Sequence, residues 1–260
     1  MKRTMRKVVL LTIAVAALVV AQPAAASAQL PIIDLGTLGG TFSDARAINE
    51  RGQVVGESTT ASGEVHAFLW QDGTMSDLGT LGGDRSEAAG INEHGQVVGS
   101  SQTASGEEHA FLWQDGTMSD LGTLGGAFFA ASFAFAINNR GQVVGDVSVP
   151  PSGHDFHAFL WQDGTLTDLG TLGGDDSSAR AINERGQVVG ESTTATGEEH
   201  AFLWQDGTMS DLGTLSGDQS EANGINNRGQ VVGGSTTATG DFHAVLWMKC
   251  CLHSPSRSDG

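Results

Sequence analysis

The tetrapeptide Asp-Leu-Gly-Thr begins at Asp34, Asp77, Asp120, Asp168 and Asp211, in steps of 43, 43, 48 and 43 residues. Between copies the same elements return in the same order: Ala-Ile-Asn (or Gly-Ile-Asn), Gly-Gln-Val-Val-Gly and His-Ala-Phe-Leu-Trp (His-Ala-Val-Leu-Trp in the last). A period near 40–45 residues that holds only strand and turn signals marks a repeat architecture, most readily the blade of a propeller.

One period reads as four short strands. Ala45–Ile48 is the first, and Asn49-Glu50-Arg51-Gly52 is a tight turn with glycine available for positive φ. Gln53–Gly56 is the second strand, Ser58–Gly63 a polar loop, and His66–Trp70 the third strand. Asp72-Gly73 suits a type I′ hairpin, and Thr74–Leu78 forms the fourth strand. No helical period follows the first residues of the chain, so the fold class is all-β.

Both faces of the second and third strands are apolar, so the sheet must be covered on each side. With no amphipathic helix to supply the cover, another copy of the sheet must do so. The last unit stops after its third strand, at Trp247, while Pro31-Ile32-Ile33-Asp34-Leu35-Gly36 matches a fourth strand at the other end of the chain. The expectation is a five-bladed β-propeller of four-stranded blades, closed by the N-terminal strand, with no long open edge. A β-solenoid and a truncated larger propeller are the alternatives, the latter because residues 249–260 are foreign to the repeat.

Lys2, Arg3, Arg6 and Lys7 precede an apolar run from Val8 to Ala21, and Ala26-Ser27-Ala28 fits a cleavage site. Residues 1–28 therefore read as a signal peptide, the run being shorter than the ~20 residues that span a bilayer. The expected organisation is a propeller over 29–248 and a non-repeat tail over 249–260, in a secreted or periplasmic protein. The mature chain would carry nine basic and thirty acidic residues, a net charge of about −21. That charge excludes nucleic acid and anionic lipid as expected partners. Cys250 and Cys251 are adjacent, too close for an ordinary disulfide between them.

In combination, Ala-Ile-Asn, Gly-Gln-Val-Val-Gly and His-Ala-Phe-Leu-Trp resemble the bacterial extracellular repeats of the HAF family, over residues 31–247. The resemblance implies an exported bacterial protein and assigns no activity.

His66, His109, His157, His200 and His243 stand at one position of the repeat, as do Trp70, Trp113, Trp161, Trp204 and Trp247. One histidine per unit at equal phase does not give the close cluster a tetrahedral metal needs, and each is expected to bond a turn of its own unit. The tryptophans, embedded in strand sequence, are expected between sheets. Asp72, Asp115, Asp163 and Asp206 belong to turns. No nucleophile elbow, phosphate loop, His-Glu-x-x-His or Gly-Gly-x-Gly-x-Asp calcium repeat is present, and no cofactor is expected.

Departures from the repeat gather in the third unit. Ala127–Phe135 is longer than its counterparts by three residues and aromatic where they are polar; Val149–Phe156 is longer by two. Both insertions fall at the end of the sheet that carries the variable loops, where function is usually placed on a repeated scaffold. Phe128, Phe129, Phe133, His154, Asp155 and Phe156 are the candidate ligand or partner site. The expected function is a secreted binding or structural module for an extracellular glycan or protein, without catalysis. The alternative is a glycoside hydrolase built from loop carboxylates.

Overall fold

The structure is a computed structural model that describes residues 30–125, 130–151 and 155–248. Residues 1–28, the tail with Cys250 and Cys251, and Phe128, Phe129 and His154 lie outside the described residues. The chain divides into two compact units, residues 1–34 and 35–260. Leu30–Asp34 carry no regular secondary structure, and every strand belongs to the second unit.

The strands fall into three sheets, of eight, four and seven strands, built from five successive antiparallel repeats. Single parallel pairings, Val65 with Arg85 and Glu199 with Gln219, join the first repeat to the second and the fourth to the fifth. The first repeat is β1 (Gly39–Ile48), β2 (Val54–Thr60), β3 (Val65–Gln71) and β4 (Thr74–Asp77), paired in that order. The second is β5 (Gly82–Ile91), β6 (Val97–Thr103), β7 (Glu108–Gln114) and β8 (Thr117–Asp120). The third is β9 (Ser132–Ile137), β10 (Val143–Ser148), β11 (Phe156–Gln162) and β12 (Thr165–Asp168). The fourth is β13 (Gly173–Ile182), β14 (Val188–Thr194), β15 (Glu199–Gln205) and β16 (Thr208–Asp211). The fifth, among the described residues, has β17 (Ser216–Ile225), β18 (Val231–Thr237) and β19 (Phe242–Trp247). The class is all-β, as the sequence predicts.

Residues 31–36, the expected fourth strand of the fifth repeat, carry no strand of their own, and β19 pairs with β18 alone among the described residues. The hairpins follow expectation: Asp72 and Gly73 have φ of 51° and 83°, both positive as a type I′ turn requires. The first strand is longer than predicted, starting at Gly39 rather than Ala45. Its early residues bulge away from regular pairing, and the Thr59 hydroxyl compensates by accepting from the backbone N–H of Thr41 and Phe42 at 2.9 and 3.0 Å.

A second bulge, between Ala45 and Ala47, fixes a glycine on the neighbouring strand. A Cβ on Gly56 would sit 1.9 Å from the Asp44 carbonyl oxygen. Gly99, Gly145, Gly190 and Gly233 face the same crowding in their own repeats, so the final glycine of Gly-Gln-Val-Val-Gly is a packing requirement.

The core lies between repeats, in four equivalent layers. Val55, Ala67 and Leu78 of the first repeat pack on Ala88, Val97 and Phe111 of the second. Val98, Ala110 and Leu121 meet Ala134, Val143 and Phe159, and Val144, Ala158 and Leu169 meet Ala179, Val188 and Phe202. Val189 and Ala201 meet Ala222 and Val231. The two valines of each copy thus face opposite neighbours, which explains why both positions are apolar. Each fully buried phenylalanine contributes about 1.5–3 kcal/mol relative to exposure.

Three hydrogen bonds recur across these seams, always from one repeat to the next. The Ala67 N–H donates to Ser86 Oγ at 2.8 Å, a bond repeated by Ala110–Ser132, Ala158–Ser177 and Ala201–Ser220. Asn49 Nδ2 donates to the Asn92 carbonyl at 3.0 Å, followed by Asn92–Asn138, Asn138–Asn183 and Asn183–Asn226. The Glu50 N–H donates to the Glu93 carboxylate, followed by Glu93–Asn139, Asn139–Glu184 and Glu184–Asn227.

Candidate functional site

The invariant side chains of the repeat are spent on the scaffold. His66 Nδ1 lies 2.9 Å from the Asp77 carboxylate on the adjacent strand, and His109–Asp120, His157–Asp168 and His200–Asp211 repeat the pair at 2.8 to 2.9 Å. The same aspartates accept the N–H of Gly79, Gly122, Gly170 and Gly213 at 2.7 Å, so each histidine braces the turn that leaves its sheet. His243 is exposed, and among the described residues no fourth strand of its own repeat follows it. Trp113, Trp161, Trp204 and Trp247 are half-buried against the seam clusters, and Trp70 is half-buried in the first repeat. Among the described residues no three His, Cys, Asp or Glu side chains stand together in a metal-holding group.

The third repeat holds the described stems of its two insertions side by side. Ala131 N–H donates to Ser148 Oγ at 2.8 Å and Ser148 N–H to the Ala131 carbonyl at 2.9 Å, which joins the stems of both insertions on one sheet. Asp155 is half-buried, and its carbonyl accepts from the Val149 N–H at 3.0 Å, closing the second loop. Phe133 and Phe156, both half-buried, meet with ring centroids 6.1 Å apart and planes inclined at 45°. Of the six predicted site residues, the structure therefore places Phe133, Asp155 and Phe156 at one end of the third repeat.

Two cavities flank this ring pair. Phe133 and Phe135 line a cavity of about 270 Å³ with Arg46, Glu87 and Ser100, where the first strands of three successive repeats converge. Phe156 lines another of about 150 Å³ with Asp146, Asp176, Glu191 and Glu199, on the seam between third and fourth repeats. The Phe156 N–H donates to Asp176 Oδ1 at 2.9 Å, holding the ring across that seam.

Sequence reasoning missed the charged half of this site. Asp146 faces Phe133 across the strand pair and accepts from Ser178 Oγ at 3.0 Å and the Ala179 N–H at 3.2 Å. Burial raises its pKa to about 7, against the lowering effect of those two bonds and of Arg180. Arg180 binds Glu191 through its guanidinium, with Nε 2.9 Å from Oε1, and its Cζ stands 6.0 Å from the centroid of the Phe135 ring. The bond to Glu191 raises the Arg180 pKa above its ordinary value. Glu199 is pushed up by burial and by the charges of Glu191 and Glu221. Variation inside the strands was the available signal. Arg46, Ala89, Phe135, Arg180 and Asn223 are one position of the repeat, and Glu57, Ser100, Asp146, Glu191 and Gly234 are another.

No family model matches the chain, and no curated protein matches it. Solved structures do. A puromycin hydrolase is similar over 78% of this chain and 35% of its own, at 17% identity and a TM-score of 0.53. The β-propeller domain of the Trilobed protease from Pyrococcus furiosus, described as having an open velcro topology, is similar over 67% and 55%, at 13% identity and a TM-score of 0.47. The SapL1 lectin in complex with alpha methyl fucoside is similar over 81% and 83%, at 11% identity and a TM-score of 0.43. The chain spans between about a third and just over half of the first such structures, and the likeness concerns the fold alone.

Proposed function

We propose that this protein is an exported, non-catalytic binding module that takes an extracellular glycan where the third repeat meets its neighbours. The observation that carries the reading is the Phe133–Phe156 ring pair, flanked by two cavities where the third repeat is aromatic at positions that are polar in the second and fourth, Glu87 and Ser178, and Glu108 and Glu199. Aromatic faces beside a few fixed polar groups suit a ligand that is apolar on one face and hydroxylated at its edge. Glu87 and Asp146 supply acceptors in the two cavities, and Arg180 stands near the adjoining Phe135 ring. Export is supported by the basic head, apolar run and small-residue site of residues 1–28.

A second reading is favoured by Asp146. A carboxyl group held near neutrality beside another carboxylate, here Glu191, has the form of a general acid with its partner. That reading makes the chain a glycoside hydrolase whose carboxylates stand on strands.

Two assays on the purified protein separate them: binding to a glycan array, and release of reducing ends from polysaccharides. The binding module predicts retention of at least one glycan, a loss of about tenfold or more in Phe133→Ser with Phe156→Ser, and no turnover. Turnover abolished by Asp146→Asn establishes the hydrolase instead. Absence of any glycan whose binding depends on the two rings removes the proposal.

A further inference from the structure

Each internal seam joins a trailing half and a leading half of fixed chemistry, and the described residues present one of each without a neighbour. On the fifth repeat the trailing half is open. Val232 is 50% exposed and Leu246 55%, where the equivalent Val55, Val98, Val144 and Val189 are buried. Its three seam donors stop here as well. Asn226 Nδ2 keeps the bond to Gln230 that every copy makes within its own turn but, among the described residues, reaches no carbonyl of a further repeat. Nor does a described side chain meet the N–H of Ala244 or Asn227 as Ser220 and Asn227 meet those of Ala201 and Glu184.

On the first repeat the leading half is open along β1. Ile48 is 68% exposed and Ala45 is exposed, whereas their counterparts Ala88, Ala134, Ala179 and Ala222 are buried and Ile91, Ile137, Ile182 and Ile225 pack on the seams. The three seam acceptors of this half are Ser43 Oγ, the Asn49 carbonyl and the Glu50 carboxylate, at the positions of Ser86, Asn92 and Glu93. Three unanswered donors and an apolar face at one end thus match three acceptors and an apolar face at the other.

We infer that the trailing face of the fifth repeat binds the leading face of a second copy of this chain, head to tail, as a fifth instance of the seam it already forms four times. The occupant follows from continuity with the internal interfaces, which show what covers such a face. The contact is heterologous, so each copy keeps one free end and association continues along a row. At a net charge of about −21 after loss of residues 1–28, the copies repel, and added salt screens that repulsion and favours the contact.

Sedimentation velocity of the purified protein over a hundredfold range of concentration tests the inference. Mass above the monomer should grow with concentration and with salt. Val232→Asp with Leu246→Asp closes the trailing end, and Ala45→Asp with Ile48→Asp closes the leading end. Each double variant alone should be monomeric, and an equimolar mixture should form a dimer that grows no further, since one good end survives on each partner. A monomer at every concentration, as in a chain closed upon itself, overturns the inference. So does a dimer that either double variant still forms alone. Where a variant loses its fold by circular dichroism, hydrogen exchange of β18 amides in the unaltered protein replaces it: protection that rises with concentration supports the contact, and protection independent of concentration overturns it.

Discussion

In the fourth repeat, Arg180 binds Glu191 across the β13–β14 pair; in the third, Phe135 and Asp146 hold the same two positions. The backbones around them share the same bulge, the same crowded glycine and the same turn. What changes is how a half-buried carboxylate is supported. Glu191 has a guanidinium in its own sheet. Asp146 has only a hydroxyl and one N–H borrowed from the next sheet, and its pKa rises to about 7. One scaffold thus supports a neutralised ion pair in one repeat and, in the next, a carboxyl group that titrates near neutrality among aromatic rings.

The strongest way to break this comparison is to show that the two scaffolds differ. Gly145→Ala and Gly190→Ala each place a Cβ 1.8 Å from a carbonyl oxygen, of Phe133 in one repeat and Ser178 in the other. Both should cost more than about 4 kcal/mol, enough to abolish cooperative unfolding. Denaturant titration of the two variants checks this; a benign effect in one repeat alone would mean that the backbones are not equivalent.

Asp146→Asn sharpens the comparison where the repeats part. A carboxyl group raised from about 4 in the unfolded chain contributes stability that is fully present below pH ~4 and is lost as the pH rises through about 7. Asparagine carries no charge and retains both contacts, its Oδ1 accepting from the Ala179 N–H and its Nδ2 donating to Ser178 Oγ. The variant should match the parent near pH 4 and exceed it at pH 8 by a few kcal/mol, with on the order of 4 as the ceiling set by a three-unit shift. Equal pH slopes in denaturant melts of the two proteins would show that Asp146 is ionised and well solvated.

Periodicity made most of the scaffold legible, because a sheet covered on both faces needs paired valines, and tight turns need Asn-x-x-Gly and Asp-Gly. Strand length was not legible at β1, where the Thr59 hydroxyl sustains a bulge that no local pattern announces. The ends are less legible for a related reason: matching residues at Pro31–Gly36 state a capacity for pairing, and pairing also needs geometry that the period does not specify. At the site, the aromatic half stood out as an insertion. The charged half did not, because Asp146, Arg180 and Glu191 sit inside strands, where a single substitution leaves length and turn chemistry unchanged.

Arg180→Leu probes the other side of the comparison. It strips Glu191 of its guanidinium and leaves the Phe135 ring uncovered, yet Arg180 is itself 47% exposed, so screening limits the loss to about 1 kcal/mol. The same change removes a positive charge that holds Asp146 down, so the Asp146 titration should move further up, as read from its carboxyl carbon by NMR. A downward movement would detach the two residues from one another.

The smallest effect concerns what the two repeats share. In the His157–Asp168 pair, the hydrogen bond to Asp168 raises the histidine pKa in spite of burial. Burial pushes Asp168 up, but the bonds from His157 and the Gly170 N–H outweigh it and leave the carboxylate lowered. The histidine contribution is complete below its unfolded value near 6.5 and is lost as the pH rises through the raised folded value. The aspartate contribution is complete above about 4 and is lost as the pH falls through the lowered folded value. The pair therefore helps most between pH ~4 and ~6.5. With the Asp168 side chain 36% exposed, solvent screening keeps the gain below about 1 kcal/mol. His157→Gln should narrow the stability difference between pH 5.5 and pH 8 by that amount, measured from denaturant midpoints. An unchanged difference would leave the histidine as a brace for the turn at Gly170 with no electrostatic part in stability.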